Sequence, residues 1–341
     1  MIERLADFFP VILFSAAMAF ASAPFVIRIA PALGLVDRPG SAPHKVHSDP
    51  TPLAGGPVLA LSLATAYVIL RPATDREVVG ILLGAGLLLI WGLLDDRVEL
   101  GALQKLVGHF LVAFLLIYVG VQVRITRIVW LDIALTIFWV VGLINAYNFV
   151  DSMDGLALGL AGIAAAFFML VTVDSRQPPL ANLSAAIFGA AMGTYYFNAS
   201  PARMFLGDSG AQLLGYLLAA IGIAYVPAGA GLPQGVSWFT PILVMGVPIF
   251  DMTLVVVSRL LRRTPVYRAG RDHTYHRLLA LGLDPTRSVL VMHLVAVMLG
   301  LTAFIALDAN VILANVIFAA IALVGLGLLV YLQRATSIEK T

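Results

Sequence analysis

The 341-residue chain contains no cysteine. Disulfides and thiolate metal sites are therefore excluded, and any metal must be held by carboxylate, amide or imidazole groups. Charge is nearly as scarce: 12% of residues are charged against 60% hydrophobic, and the mean hydropathy is +0.96. That balance excludes an ordinary soluble domain. There is no internal repeat, no low-complexity segment and no stretch polar enough for a separate soluble domain. The first apolar run lacks the basic leader and Ala-x-Ala exit of a cleavable signal, so it is expected to be retained. The net charge of +2 says little about partners, and no nucleic-acid partner is expected.

What is present is apolar sequence in runs of membrane-spanning length. The expectation is an all-α polytopic membrane protein, a single integral-membrane domain over residues 1–341, with about eleven transmembrane helices. The predicted spans are 8–31, 54–70, 78–94, 103–121, 131–149, 155–173, 180–197, 209–227, 237–258, 287–307 and 310–332. An odd number puts the termini on opposite sides. With the N-terminus outside and the C-terminus cytoplasmic, fifteen Lys and Arg fall on the inner side, among them Lys105, Arg203, Arg259, Arg262, Arg271 and Arg277, against six outside. The positive-inside rule selects that orientation. Residues Val121 to Ile128 alternate with period two and predict a short outer strand or hairpin.

This topology gathers the unusual polar residues on one face. The central stretch is Asn145-Ala146-Tyr147-Asn148-Phe149-Val150-Asp151-Ser152-Met153-Asp154-Gly155. A carboxylate at the bilayer centre costs roughly 2.5 to 3.5 kcal/mol on insertion scales, so such clusters mark function. Asn145, Asn148, Asp151 and Asp154 recur every third residue and share a face while the helix lasts. Asp154 before Gly155 also has the form of a helix N-cap. The adjacent Asp95 and Asp96 close the third span, where two carboxylates repel unless a cation or a proton is shared. A hard, oxygen-ligated cation such as Mg²⁺ resolves that repulsion simply.

Three further inner segments carry candidates. The first connector holds Lys45, His47 and the run Pro52-Leu53-Ala54-Gly55-Gly56, suited to a rigid turn and to phosphate contact. Between the seventh and eighth spans, Asn198 to Gly210 presents Asp208 just before a helix whose amides suit an anion. Phe205 there offers a stacking face or plain apolar packing. The basic loop from Arg259 to Arg287 includes Arg271, His273 and His276, fit for a pyrophosphate, a metal or anionic lipid. His109 and His293, inside spans, are taken as packed core residues. A divalent cation held by carboxylates and bridging substrate phosphates is the usual logic of phosphoryl-group transfer. The residues alone do not name the substrate.

These motifs resemble the polyprenyl-phosphate N-acetylhexosamine-1-phosphate transferases. The resemblance rests on four motifs in order: Asp95-Asp96, N-x-x-N-x-x-D-x-x-D-G, N-x-x-P-A-x-x-F-x-G-D-x-G and a His-bearing inner loop. It implies transfer of a hexosamine-1-phosphate, GlcNAc-1-phosphate first among them, from a UDP-sugar to undecaprenyl phosphate with release of UMP. It also implies Mg²⁺, with Mn²⁺ as a substitute, and a bacterial inner-membrane enzyme facing the cytoplasm. Such enzymes begin cell-surface glycans, including lipopolysaccharide O-antigen and cell-wall polymers. A homodimer is a further expectation.

By resemblance, Asp208 is the metal ligand, with Asp95 and Asp96 close to the metal. Asp95 is the candidate base for the lipid phosphate, and Asn148 and Asp151 lie at the diphosphate. Asp154, Asn198 and Phe205 hold the uracil, Asn145, Lys45, His47 and Arg271 are substrate contacts, and His273 and His276 neutralise phosphate charge. The usual His-x-His-His run departs here, its middle position being Tyr275. The Pro-Leu-Ala-Gly-Gly run and the eleven spans place the chain nearer the GlcNAc-1-phosphate (WecA-type) branch than the muramoyl-pentapeptide branch. Donors of fucosamine or quinovosamine type fit the same motifs. An ion-coupled lipid or sugar transporter is the alternative from another class, and it requires acids near mid-span and paired broken helices.

Overall fold

The computed structural model describes residues 2–38, 49–126, 128–226, 238–267 and 270–335. Fourteen α-helices account for most of them. In order they are α1 (Ile2–Ala6), α2 (Phe9–Ile29), α3 (Gly55–Leu70), α4 (Arg76–Val98), α5 (Ala102–Val119), α6 (Val129–Val150) and α7 (Leu156–Asp174). There follow α8 (Pro178–Asn198), α9 (Gly207–Ala224), α10 (Thr240–Val244), α11 (Gly246–Leu261), α12 (Thr274–Ala280), α13 (Pro285–Ala306) and α14 (Val311–Ala335). Among the described residues, seven helices are long and apolar enough to cross a bilayer: α2, α4, α5, α6, α7, α13 and α14. This is a multi-pass, all-α membrane protein.

The helices that fall short of that measure do so for a physical reason. Most residues of α8 and almost every residue of α9 are buried among neighbouring helices. A helix shielded from lipid can carry Asn182, Ser184, Thr194, Asn198, Ser209 and Gln212 and still lie in the middle of the bundle. The opposite holds for α14, which shows most of its surface and is nearly pure hydrocarbon. The predicted segment 237–258 is broken at Met245 into α10 and α11.

Close packing depends on missing side chains. A Cβ on Gly92 of α4 would sit 2.4 Å from the Cα of Ser209 on α9. One on Gly193 of α8 would sit 2.3 Å from the Ala16 carbonyl of α2. Backbones thus touch along the α4–α9 and α2–α8 seams. The C-terminal ends of α4, α6 and α8 and the N-terminal ends of α3, α5, α7 and α9 meet at one end of the bundle, the end at which the acids collect.

The connector after α2 folds back on itself. Strand β1 (Val36–Asp37) pairs antiparallel with β2 (Thr51–Pro52), Val36 opposite Pro52 and Asp37 opposite Thr51. Leu53 then bridges Phe205, and the Phe205 carbonyl accepts from Ala54 N (3.2 Å) and Gly55 N (3.1 Å). Two connectors far apart in the chain are thereby stitched together.

The expected outer strand at 121–128 does not form among its described residues. Its amides turn to side chains on the first turns of α6 instead. Val123 N donates to Thr136 Oγ1 (2.9 Å), while Ile125 N (3.3 Å) and Thr126 N (3.0 Å) donate to Asp132 Oδ1. Period-two alternation signalled an extended chain, but its hydrogen bonds were claimed locally.

Gly92→Ala is expected to destabilise the protein by about 1–3 kcal/mol through overpacking and to lower activity, since it pushes α4 off α9 one turn before Asp95. Gly86→Ala on the same helix, with nothing within 4 Å of the new Cβ, should leave activity unchanged and raise stability by at most about 1 kcal/mol. Thermal midpoints in detergent and turnover of the two variants check this.

Candidate active site

Four helices bring one cation and two carboxylates together. Lys105, in the first turn of α5, places its Nζ 2.7 Å from Asp95 Oδ2 on α4 and 2.9 Å from Asp208 Oδ2 on α9. Asn148, on the last turn of α6, donates from Nδ2 to Asp208 Oδ1. Asp95 is buried (1% exposed) and is otherwise satisfied by Leu100 N at Oδ1 (2.9 Å) and Gln212 Nε2 at Oδ2 (3.2 Å). The Asp208 side chain keeps 27% of its surface open. The network continues inward: Gln212 Oε1 lies 3.3 Å from His109 Nε2, and His109 Nδ1 lies 3.3 Å from Asn145 Nδ2.

Asp96 points the other way from its neighbour. Its Oδ1 accepts from Asp208 N (2.7 Å) and its Oδ2 from Ser209 N (3.2 Å), so it caps α9 from outside that helix. The repulsion expected of the Asp95-Asp96 pair is relieved by divergence: one carboxylate meets an ammonium, the other a positive helix terminus. The first α9 amides, foreseen for an anionic ligand, hold Asp96 here. Asp96, foreseen close to the metal, lies beside Asp208, and each of its oxygens accepts one backbone amide. Gly207 turns the chain into α9 with φ +74, and a Cβ there would lie 2.8 Å from Asp96 Oδ2.

Asp151 ends α6 in a non-helical conformation (φ −79, ψ 49). Burial, and then the negative charges of Asp208, Asp96 and Asp154, push its carboxyl well above the usual range. Its charge thus couples to those of Asp208 and Asp96. Asp154 is not the N-cap of α7. Gly155 takes that position with φ +76, and Asp154 Oδ2 instead accepts from Ala202 N (3.1 Å). Asn198 is turned inward, accepting from Gly155 N (3.1 Å) and donating to the Met204 carbonyl (3.0 Å). Its oxygen thus holds the start of α7 and its amide nitrogen the turn before α9. Phe205 is half-buried, its backbone tied to Pro52–Gly55 and to Asp208 through the α9 start.

The basic loop abuts this cluster through Phe149, the residue after Asn148. The Phe149 ring meets His273 edge-on at 5.7 Å, and the Arg259 guanidinium lies 5.6 Å from its centre. Asp251 on α11 accepts from His273 Nδ1 (2.9 Å) and Thr274 N (2.6 Å), fixing the imidazole and capping α12 together. Asp272 receives the Arg259 fork at 3.1 Å and Arg262 at 2.5 Å. Arg277 is buried and reaches the Leu332 carbonyl at 2.9 Å, anchoring the loop to α14. Tyr275, where the related motif has a histidine, stacks on His273 and pairs its hydroxyl with His276 Nε2 at 2.6 Å.

Burial first, and then neighbouring His273 and the charge of Arg271, lower His276 to about 4. An imidazole so lowered is an uncharged hydrogen-bonding group at neutral pH, whereas the resemblance implies that it helps to neutralise phosphate charge. Arg271 is exposed at the rim. Lys45 and His47 lie outside the described residues.

The donor set fits a hard divalent cation better than any soft one. Among the described residues no three His, Asp or Glu side chains converge on a common metal position. Mg²⁺, however, commonly takes one or two carboxylates and completes its shell with substrate phosphates and water. Asp95 and Asp208 share a single Lys105, which leaves an excess of negative charge when both are ionised. Asp208, the most open of the contacting carboxylates, is the natural oxygen donor.

The sequence profile of glycosyl transferase family 4 matches residues 78–226. A probable undecaprenyl-phosphate N-acetylglucosaminyl 1-phosphate transferase of Bacillus subtilis is 30% identical over 300 residues, covering 84% of this chain and 82% of the relative. The chain belongs to glycosyl transferase family 4. A decaprenyl-phosphate N-acetylglucosaminephosphotransferase of Mycobacterium tuberculosis is 32% identical over 323 residues, covering 84% and 78%. A phospho-N-acetylmuramoyl-pentapeptide-transferase of Bacillus anthracis is 32% identical over 237 residues, covering 62% of this chain and 72% of the relative. Both GlcNAc-phosphate transferases named here match over 84% of this chain, more than the muramoyl-pentapeptide transferase does. The matched stretch of this glycosyl transferase contains Asp95, Asp96, Lys105, Asn148, Asp151 and Asp208; the loop with His273 and His276 lies beyond it.

Three residues of the network were missed from sequence: Lys105, His109 and Gln212. A signal existed in the spacing. Lys105 and His109 stand four apart on α5, facing Asp208 and Gln212 four apart on α9.

Asp96→Ala should cost about 1 kcal/mol or more by removing the cap of α9, read as a lower thermal midpoint. Asp272 gives a pH prediction. Burial raises its carboxyl, but Arg259 and Arg262 outweigh this and hold it below the usual range. Its stabilisation is thus fully present above the unfolded carboxylate value of about 4 and is lost as pH falls through the folded value. Asp272→Asn should flatten the acid limb of the stability curve; an unchanged limb would remove Asp272 as its source.

Proposed function

We propose that this glycosyl transferase moves N-acetylhexosamine-1-phosphate, GlcNAc-1-phosphate in particular, from its UDP-sugar to undecaprenyl phosphate. UMP is released, and the lipid-diphosphate-sugar starts a cell-surface glycan. The active end of the bundle faces the cytoplasm across a bacterial inner membrane, in keeping with the fifteen to six distribution of Lys and Arg. The observation that carries the reading is the junction of Asp95, Lys105, Asp208 and Asn148 from four helices beside Asp151. The two relatives named as GlcNAc-phosphate transferases support the choice of sugar.

In this reading an oxygen of the lipid phosphate attacks the phosphorus that bears the sugar. A new P–O bond forms there, and the bond from that phosphorus to the bridging oxygen breaks, its electrons leaving with UMP. Mg²⁺, when bound at Asp208, would screen the diphosphate and stabilise the departing UMP. Asp95 takes any proton remaining on the lipid phosphate. Lys105, held between two carboxylates, sits where incoming phosphate charge can be met. Asn148 fixes the Asp208 carboxylate, and Asp151 faces the diphosphate. Phe205 lies against the uracil at the turn that Asp154 and Asn198 hold. His273, oriented by Asp251, meets phosphate from the loop side, with Arg271 at the rim. A phosphate monoester is a capable nucleophile once repulsion is screened, so a covalent aspartyl step is unnecessary.

A panel of UDP-sugars with undecaprenyl phosphate and Mg²⁺, followed by UMP release, tests the reading. UDP-GlcNAc should be preferred; preference for another donor would overturn the sugar assignment, and no turnover with any would overturn the reaction. Asp208→Asn and metal chelation should each abolish turnover with the protein still folded. Phe205→Ala should chiefly raise the KM for the UDP-sugar.

A further inference from the structure

His109 and Gln212 are buried polar side chains that the reaction above does not use. Both lie within the bundle, where an unpaired polar group is costly, so the way each is satisfied is informative. Gln212 Nε2 faces a carboxylate oxygen, Asp95 Oδ2, at 3.2 Å. A carboxylate only accepts, so the amide must donate there, and its Oε1 is left facing His109. His109 Nε2 at 3.3 Å must then carry the proton. His109 Nδ1 is consequently the acceptor, and its partner at 3.3 Å is Asn145 Nδ2, which also donates to the Val141 carbonyl at 2.7 Å. Every bond in the series runs the same way, from Asn145 through His109 and Gln212 to Asp95. A single assignment satisfies all four side chains: neutral imidazole with the proton on Nε2.

From this geometry we infer that His109 and Gln212 are positioning residues, a directed hydrogen-bond relay that fixes Asp95 Oδ2 against the Lys105 ammonium. The relay ends on the same oxygen that Lys105 approaches at 2.7 Å. Leu100 N holds the other oxygen of Asp95 at 2.9 Å, so the relay donor and Lys105 together decide how the carboxylate is turned. Loss of the relay leaves Asp95 free to pivot about Oδ1, and Lys105 free to settle on Asp208 alone. The bond lengths between the reacting groups would then vary without any change at the nucleotide. The inference rests on the transferase reading for its kinetic consequence, but its hydrogen-bond direction does not depend on activity.

Two measurements test it. The first is kinetic, on the full chain in detergent with UDP-GlcNAc and undecaprenyl phosphate. His109→Leu and Gln212→Ala are each expected to lower kcat by ~10–100-fold, the usual effect of losing a partner that orients a catalytic ligand, with the KM for UDP-GlcNAc unchanged. His109→Gln, which can still donate to Gln212 from the position of Nε2, is expected to recover most of that loss. The double variant should be no worse than either single one. If His109→Leu matches His109→Gln in kcat, the residue merely fills space and the inference is overturned. The second is nitrogen NMR of the wild-type chain with labelled histidine at neutral pH, His109 being assigned by its disappearance in His109→Gln. A neutral ring protonated on Nε2 supports the relay; a proton on Nδ1, or on both nitrogens, overturns it. This second readout stands even if no UDP-sugar is turned over, an outcome that would count against the transferase reading alone.

Discussion

One ammonium group holds the site together. Lys105 is the cation between Asp95 and Asp208, which arrive on α4 and α9 from positions 113 residues apart in the chain. In a bilayer-embedded bundle such carboxylates would repel, and the helix ends bearing them would splay. The ammonium lets the two ends meet, and Asp96 strengthens the contact by accepting from the first amides of α9. The α4–α9 seam is therefore fixed at the site by charge and below it by glycine, with Gly92 letting backbone touch backbone. Neither is sufficient alone. Without glycine the helices stand apart, and without the charges they have no reason to end in register.

Much of this was legible from sequence because acids and amides are conspicuous in so apolar a chain. Asp95, Asp96, Asn148, Asp151 and Asp208 stood out since each costs free energy unless it has a partner. Their convergence could be anticipated from the side of the membrane on which they fall. What could not be read was the division of labour. Asp96 and Asp95 are neighbours of identical chemistry, yet one is a helix cap and the other a site carboxylate, because successive side chains of a helix diverge by about 100°. Asp154 looked like a cap, and the cap position went to Gly155, whose left-handed conformation ends the turn.

Lys105 and His109 were hidden for a different reason. A lysine near a predicted helix end is what the positive-inside rule supplies everywhere, and a lone buried histidine is usually core. Only the three-dimensional pairing with Asp208 and Gln212 distinguishes them. The expected outer strand failed because alternation records which residues prefer extended backbone, while Asp132 and Thr136 on the following helix captured the amides first.

The last turn of α6 has a consequence of its own. Asn148 grips the acid cluster, and Phe149, next in the chain, touches His273 and lies beneath Arg259. Two consecutive residues of one rigid helix thus serve opposite charges on its two flanks. Any screw motion of α6 must shift both contacts at once and in fixed proportion. The spacing between anion-repelling and anion-attracting walls is set by a single peptide unit.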